Sequence, residues 1–263
     1  MKSITTTITV VVFTATALLT APLQAESQEF RWSGHLVAGQ TVEVKGINGT
    51  ITAEPSATGE VEVTADKRGR RDDPDEVEIK VVEHKNGVTL CAVYPSSRWG
   101  RTNSCEPGEG GHLGADNNDV DVDFLVRVPQ GVHFAGRTVN GAVEAEELGG
   151  NVEATTVNGG VRATGRGVVR GETVNGSVFA RLGRADWPGS LSYTTVNGSI
   201  TVELPADTSA EVRASTVNGG IDSDFPLNIK GRWGPKQARG TLGAGGRTLE
   251  LETVNGAIRL VKR

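Results

Sequence analysis

This sequence predicts an all-β fold: a repetitive β-solenoid, single-stranded and right-handed β-helix-like. Three observations carry the prediction. The tetrapeptide Thr-Val-Asn-Gly occurs six times, at 138–141, 156–159, 173–176, 195–198, 216–219 and 253–256. The runs between copies alternate apolar and polar residues with period two, which marks short strands. No segment after residue 25 holds an apolar stripe at i, i+3, i+4, as an amphipathic helix requires.

The repeat decides against other all-β plans. Successive Asn positions from 140 to 218 are 18, 17, 22 and 21 residues apart, a period that signals a stacked array. The last gap, 37 residues to Asn255, is close to two periods and predicts a degenerate unit inside it. A weaker copy, Gly46-Ile47-Asn48-Gly49, stands near the N-terminus. One residue after each copy comes Ile51, Val143, Val161, Val178, Ile200, Ile221 or Ile258. The alternative is a β-sandwich or a meander of hairpins, because Asn-Gly also makes hairpin turns. A meander accounts for one or two copies but does not require the same tetrapeptide at every corner.

Within each unit the strand pattern is explicit. Ile200, Val202 and Leu204 share a parity, as do Val212, Ala214 and Thr216, and Leu249, Leu251 and Thr253. Turn signals such as Leu148-Gly149-Gly150 and Gly165-Arg166-Gly167 separate the runs, and Gly supplies 35 of 263 residues, so turns are frequent. Asn tolerates left-handed backbone and Gly adopts it freely, so Asn-Gly turns a chain without strain. Stacked at the interstrand distance of about 4.8 Å, Asn48, Asn140, Asn158, Asn175, Asn197, Asn218 and Asn255 form a ladder of amide hydrogen bonds. Thr one alternation earlier does likewise.

Strict alternation puts Thr and Asn of each copy on one side and Val on the other. If Thr and Asn point inward, Val139, Val157, Val174, Val196, Val217 and Val254 form an outward apolar file, a candidate interaction surface. If the corner rotates Val inward, the same residues are ordinary core.

The first 25 residues read as an export signal: Lys2, an apolar centre at Ile8–Phe13 and Ala17-Leu18-Leu19, then Pro22-Leu-Gln-Ala25 before Glu26. The apolar run is short and broken by Thr, poor for the ~20 residues of a span, and no later run approaches one. Residues 26–263 then form a single β-solenoid domain, with 26–118 an irregular first part and 119–263 the regular repeats. The expected location is periplasmic, secreted or cell-surface. In an oxidising compartment the only two cysteines, Cys91 and Cys105, are expected to be disulfide-bonded.

The first part carries its own strand runs at Val42–Val44, Val61–Thr64, Val77–Ile79 and Val88–Leu90. Lys67–Asp75 reads as a solvated hairpin loop whose four basic and three acidic residues neutralise each other,. Residues 96–118, rich in Gly, Ser and Asn, form a long loop pinned by the disulfide. Beyond it, Val120, Val122, Phe124 and Val126 face one side of a strand, with Asp119, Asp121 and Asp123 on the other.

Little in the chain points to chemistry. A formal net charge of −5 argues against nucleic acid as a partner, since phosphate binding needs clustered Lys and Arg. Asp116, Asp119, Asp121 and Asp123 lack the loop and terminal Glu of a Ca²⁺ site, and no metal site is expected. Gly240–Gly246 has no Lys-Ser/Thr after it, there is no Gly-x-Ser-x-Gly, and His35, His84, His112 and His133 have no partner at a diagnostic spacing. No catalytic residue and no cofactor are expected.

The Thr-x-Asn-Gly-x-Ile repeats behind an export signal resemble the bacterial putative-adhesin domain family, whose function is unknown. Cys91-Ala-Val-Tyr-Pro95, Asp119–Pro129, Phe225-Pro226 after the fifth copy, and Thr253–Leu260 are similar to stretches of that family. The resemblance runs from about residue 30 to the C-terminus. It implies a β-helix-like domain and carries no ligand and no catalytic residue with it.

The expectation is therefore an exported, non-catalytic envelope or surface protein, adhesin-like, acting as a binding or scaffold domain. Its partner would be a protein or a glycan of the cell envelope, and self-association fits as well. The alternatives are a polysaccharide-active β-helix enzyme, which needs carboxylates clustered in a groove, and an envelope-stress sensor or scaffold.

Overall fold

Seven pairs of strands, each pair flanking one Asn-Gly corner, organise the chain. The computed structural model describes residues 27–96, 101–231 and 234–263; the export signal read at 1–25 lies outside them. Thr41–Lys45 and Ile51–Pro55 flank Asn48, His133–Arg137 and Val143–Leu148 flank Asn140, and Val152–Thr155 and Val161–Gly165 flank Asn158. Val169–Glu172 and Val178–Leu182 follow around Asn175, then Ser190–Asn197 with Ile200–Leu204, Ala210–Asn218 with Ile221–Ser223, and Thr248–Asn255 with Ile258–Lys262. The first strand of every pair lies in an eleven-stranded sheet and the second in a ten-stranded sheet. The fold is thus all-β. Among the described residues the helical content is one 3-10 turn, Pro74–Glu76, and no helix is long and apolar enough to cross a membrane.

Neighbouring units pair in parallel and in register. Ile51, Val143, Val161, Val178, Ile200, Ile258 and Ile221 form one continuous row across the ten-stranded sheet. Alternation buries every second residue between the sheets, so Ile200, Val202 and Leu204 are all fully buried while Thr201 and Glu203 face outward. The result is one apolar cluster from Val42 to Leu260, built from β-branched residues that suit a pleated surface. The Tyr193 phenol that enters it donates to the Val169 carbonyl at 2.5 Å, and burial pushes its pKa well up.

The stacking order departs from the chain order at both ends. The 41–55 unit lies between Gly87–Val93 with Asp121–Val128 on one side and the 133–148 unit on the other. The C-terminal unit is inserted between two that are consecutive in sequence: Thr248–Asn255 pairs with both Ser190–Asn197 and Ala210–Asn218. Residues 26–118 are therefore more than the start of the stack. They supply one inner unit and several edge strands.

The 37-residue gap corrects the expectation of a degenerate unit. It holds Asn228–Lys230 and Lys236–Leu242, an antiparallel pair whose second strand lies antiparallel on Ala210–Asn218. Antiparallel strands likewise close the other end, Ser27–Gly34 on Val61–Arg68 in one sheet and Glu78–His84 on Gly87–Val93 in the other. Sheet edges left open template aggregation, and these charged antiparallel strands cover three of the four edges of the stack, the fourth being the short Ile221–Ser223, paired in parallel with Ile258–Lys262. Residues 67–75 are not a hairpin loop. They link Val61–Arg68 in one sheet to Glu78–His84 in the other, and Asp119 orders the turn by accepting from the Arg70, Arg71 and Asp72 amides and from Arg71 Nε at 2.9 Å. The Arg71 hydrogen bond and those backbone donors hold the Asp119 carboxyl well below the usual carboxylate range.

Candidate functional site

Every Thr-Val-Asn-Gly copy makes the same corner, and each residue has its own task. Thr138, Thr156, Thr173, Thr195, Thr216 and Thr253 end the inward alternation and are buried. A buried hydroxyl needs a partner, and each finds it in the Gly carbonyl of the adjacent corner: Thr156 Oγ1 donates to Gly141 O, Thr173 to Gly159 O and Thr195 to Gly176 O, all at 2.8 Å. Thr thus bonds backbone and forms no side-chain ladder of its own.

Past Thr the chain turns, and strict alternation ends. Val139, Val157, Val174, Val196, Val217 and Val254 are 37–43 % exposed. Asn is exposed beside them, so Thr and Asn do not share a side as alternation predicts. The reading in which the corner rotates Val into the core is overturned. The Val carbonyls are consumed by the next unit's amides, as in Asn158 N to Val139 O at 2.7 Å and Asn175 N to Val157 O at 2.7 Å, and this backbone pairing holds the methyl groups outward.

The Asn amides run as one ladder of seven. Asn218 donates to Asn255, Asn255 to Asn197, Asn197 to Asn175 and Asn175 to Asn158, each at 2.8 Å. Asn158 donates to Asn140 and Asn140 to Asn48, both at 2.9 Å, and Asn48 turns to the Val120 carbonyl at 3.4 Å. An amide has two N–H groups and two lone pairs on oxygen, so every inner Asn keeps one donor and one acceptor free of the ladder.

Gly is fixed by close approach more than by dihedral angle. Gly159, Gly176, Gly198, Gly219 and Gly256 are absent from the left-handed region. A Cβ at any of them would overlap the carbonyl of the Gly stacked against it. The residue that follows is Ala142, Gly160, Ser177, Ser199, Gly220 or Ala257. The corner therefore presents a narrow, flat ribbon of Val, Asn, Gly and small residues with no titratable group in it.

One end of this ribbon is covered. Ile47, which takes the Val place in the first copy, is 6 % exposed. Over the adjacent sheet lies the 103–114 segment, with its small Ser104–Cys105 and Gly111–His112 ladder and the Cys91–Cys105 disulfide, Cα–Cα 5.8 Å. Lys45 Nζ donates to the Glu106 and Gly108 carbonyls at 2.6 and 2.5 Å, and Glu43 accepts from the Gly108 amide at 2.9 Å and from Thr89 Oγ1 at 2.8 Å. Sequence reasoning missed this clamp, whose only signal is Glu43 and Lys45 at alternate positions of a strand. Among the described residues no group of three or more His, Cys, Asp or Glu is placed to hold a metal ion.

No family model and no curated protein matches this chain. Solved structures are similar in outline. One, described as a putative cell adhesion protein from Clostridium sporogenes, has 12 % identity and a TM-score of 0.46, covering 90 % of this chain and 100 % of that one. A putative adhesin from Bacteroides fragilis has 12 % identity and a TM-score of 0.29, with 89 % and 97 % covered. Another from Parabacteroides distasonis has 9 % identity and a TM-score of 0.28, with the same coverage.

Proposed function

We propose that this chain is an exported, non-catalytic envelope or surface protein, an adhesin-like binding or scaffold domain whose contact surface is the Val-Asn ribbon. The observation that carries the reading is the unbroken file of six exposed Val residues beside the Asn ladder. Single exposed Val residues mean nothing, but a contiguous apolar file marks an interaction surface. The units are the coils of a single-stranded, right-handed β-solenoid; connections that return a strand parallel to its neighbour in one sheet are right-handed almost without exception. The disulfide supports an oxidising compartment, periplasmic or extracellular. The partner is a protein or a glycan of the cell envelope, met through apolar contact and free amide groups without charge.

The enzyme reading needs carboxylates free to work as acid and base. One group of carboxylates, Glu43 and Glu153 on the eleven-stranded sheet and Glu109 in the segment over it, is tied to Arg137, at 3.5, 2.5 and 2.9 Å. This favours a binding role.

The test is capture of the purified chain by washed bacterial envelopes. Val174→Ser with Val196→Ser is expected to weaken capture while the stability change stays within about 0.5 kcal/mol, as for surface substitutions. Capture equal to that of the unaltered chain would contradict the proposal.

A further inference from the structure

Among the repeats one spacing is irregular in an informative way. Asn158 and Asn175 are 17 residues apart, Asn175 and Asn197 are 22, and the extra residues form the 183–189 loop before Ser190–Asn197. That loop is anchored. Trp187 is fully buried, its Nε1 donates to the Thr248 carbonyl at 3.0 Å, and Arg247 Nε donates to the Trp187 carbonyl at 2.9 Å. Pro188 is thereby fixed as a wall over the outer face of the eleven-stranded sheet. Beneath it opens a depression of about 320 Å³, lined among others by Thr41, His133, Ala135, Glu153, Arg170 and Pro188.

The polar groups there converge with distinct chemistry. Ala135, Glu153 and Arg170 are register partners on three consecutive strands, so a small side chain at 135 leaves the space that its neighbours border. Glu153 is held by Arg137, which leaves Arg170 with no ion pair among the described residues. His133 Nδ1 accepts the Asn151 amide at 2.9 Å, so the neutral ring carries its proton on Nε2 and serves as a donor. Burial and then the nearby charge of Arg184 lower the pKa of His133. Arg137 is shared among Glu43, Glu109 and Glu153, and Arg184 pairs with Asp186, which among the described residues leaves Arg170 as the cation free to take an anionic group at the depression.

We propose that this depression binds one acidic sugar residue, a uronate. Arg170 takes the carboxylate, because a guanidinium fork matches it bidentately. Thr41 and the remaining acceptor capacity of Glu153 take ring hydroxyls, and Pro188 with Ala135 meets the apolar face of the ring. The volume lies at the small end of ligand sites, where a monosaccharide fits. This site is separate from the Val-Asn ribbon and does not rest on it.

Isothermal titration calorimetry of the purified chain with D-glucuronate and D-galacturonate tests the proposal, with glucose, acetate and inorganic phosphate as comparisons. At least one uronate is expected to bind saturably in the millimolar range, with all three comparison compounds weaker by roughly tenfold or more. Arg170→Gln is expected to lose roughly tenfold in uronate affinity. Ala135→Met, which fills the floor and keeps every charge, is expected to abolish uronate binding while leaving the melting midpoint and envelope capture unchanged. Absence of saturable binding of either uronate up to roughly 50 mM would overturn the site. So would equal binding of acetate or phosphate, equal affinity in Arg170→Gln, or undiminished affinity in a folded Ala135→Met.

Discussion

Asn255 Nδ2 donates to Asn197 Oδ1 at 2.8 Å across 58 positions of sequence, and Asn218, the next copy after Asn197, bonds to Asn255 instead. The C-terminal unit is thus wedged between its two predecessors. It completes both the Val file and the amide ladder, which would otherwise break between positions 197 and 218.

The ladder makes unequal contributions along its length. Asn175 donates to Asn158 and accepts from Asn197, whereas Asn218 only donates. Asn175→Ala leaves two amides without their partner and is expected to lower stability by about 1–3 kcal/mol. Asn218→Ala is expected to cost less than half as much. Urea denaturation of both variants checks the order, and equal costs would contradict it.

Gly176→Ala drives a methyl group into the Gly159 carbonyl. Overpacking of this kind costs about 1–3 kcal/mol, and the unit has no slack because both neighbours are in register. Gly160→Ala, whose Cβ meets only the Ser177 carbonyl at ordinary contact distance, is expected to be far milder. Thermal melts of the pair separate close approach from a general aversion to side chains at the corner.

Loss of the Cys91–Cys105 bond frees the loop that covers Lys45 and Glu43. A closed loop of this size stabilises by about 3 kcal/mol in the chain-entropy picture. Cys91→Ser with Cys105→Ser is expected to lose an amount of that order. Amide exchange is expected to rise first at Gly108, whose N–H is held by Glu43. Unchanged protection at Gly108 would show that the Lys45 and Glu43 hydrogen bonds hold the loop without the disulfide.

His133 gives the fold a pH dependence with a definite sign. Its folded pKa is lowered from 6.5, by burial first and by Arg184 second. The stabilisation is full above the unfolded value, fades as pH falls below it, and is gone once the folded pKa is passed. Protonation also removes the acceptor for the Asn151 amide. Between pH 7 and pH 5 the melting midpoint of the unaltered chain is expected to fall more than that of His133→Gln; parallel curves would contradict the assignment.

Much of this architecture is legible in the sequence because the repeat carries residue identity with it. Asn48 is assigned to the ladder by a copy that keeps only Asn-Gly, and the rows from Ile51 to Ile258 follow from a fixed offset. What the repeat hides is order. Six identical tetrapeptides cannot say which stacks on which, so the wedging of the 248–262 unit is invisible until strands are paired. The direction of Val was equally hidden, since alternation fails at a corner where backbone amides take the lead. The Arg170 depression draws its residues from non-repeating positions on several units, and its one sequence signal is the 22-residue spacing.

The ribbon exists as one surface only if the C-terminal unit sits where the pairing puts it. Ala257 N donates to Ser199 Oγ at 3.2 Å, so these two positions are neighbours on adjacent units, and Gly220 lies one unit further along. A disulfide requires Cα atoms about 4.4–6.8 Å apart. Peptide mapping of oxidised Ser199→Cys, Ala257→Cys protein is expected to show the engineered cross-link in nearly every molecule. Ser199→Cys, Gly220→Cys is expected to show none. A cross-link between positions 199 and 220, with none between 199 and 257, would mean that the units stack in chain order and that the ribbon described above is wrong.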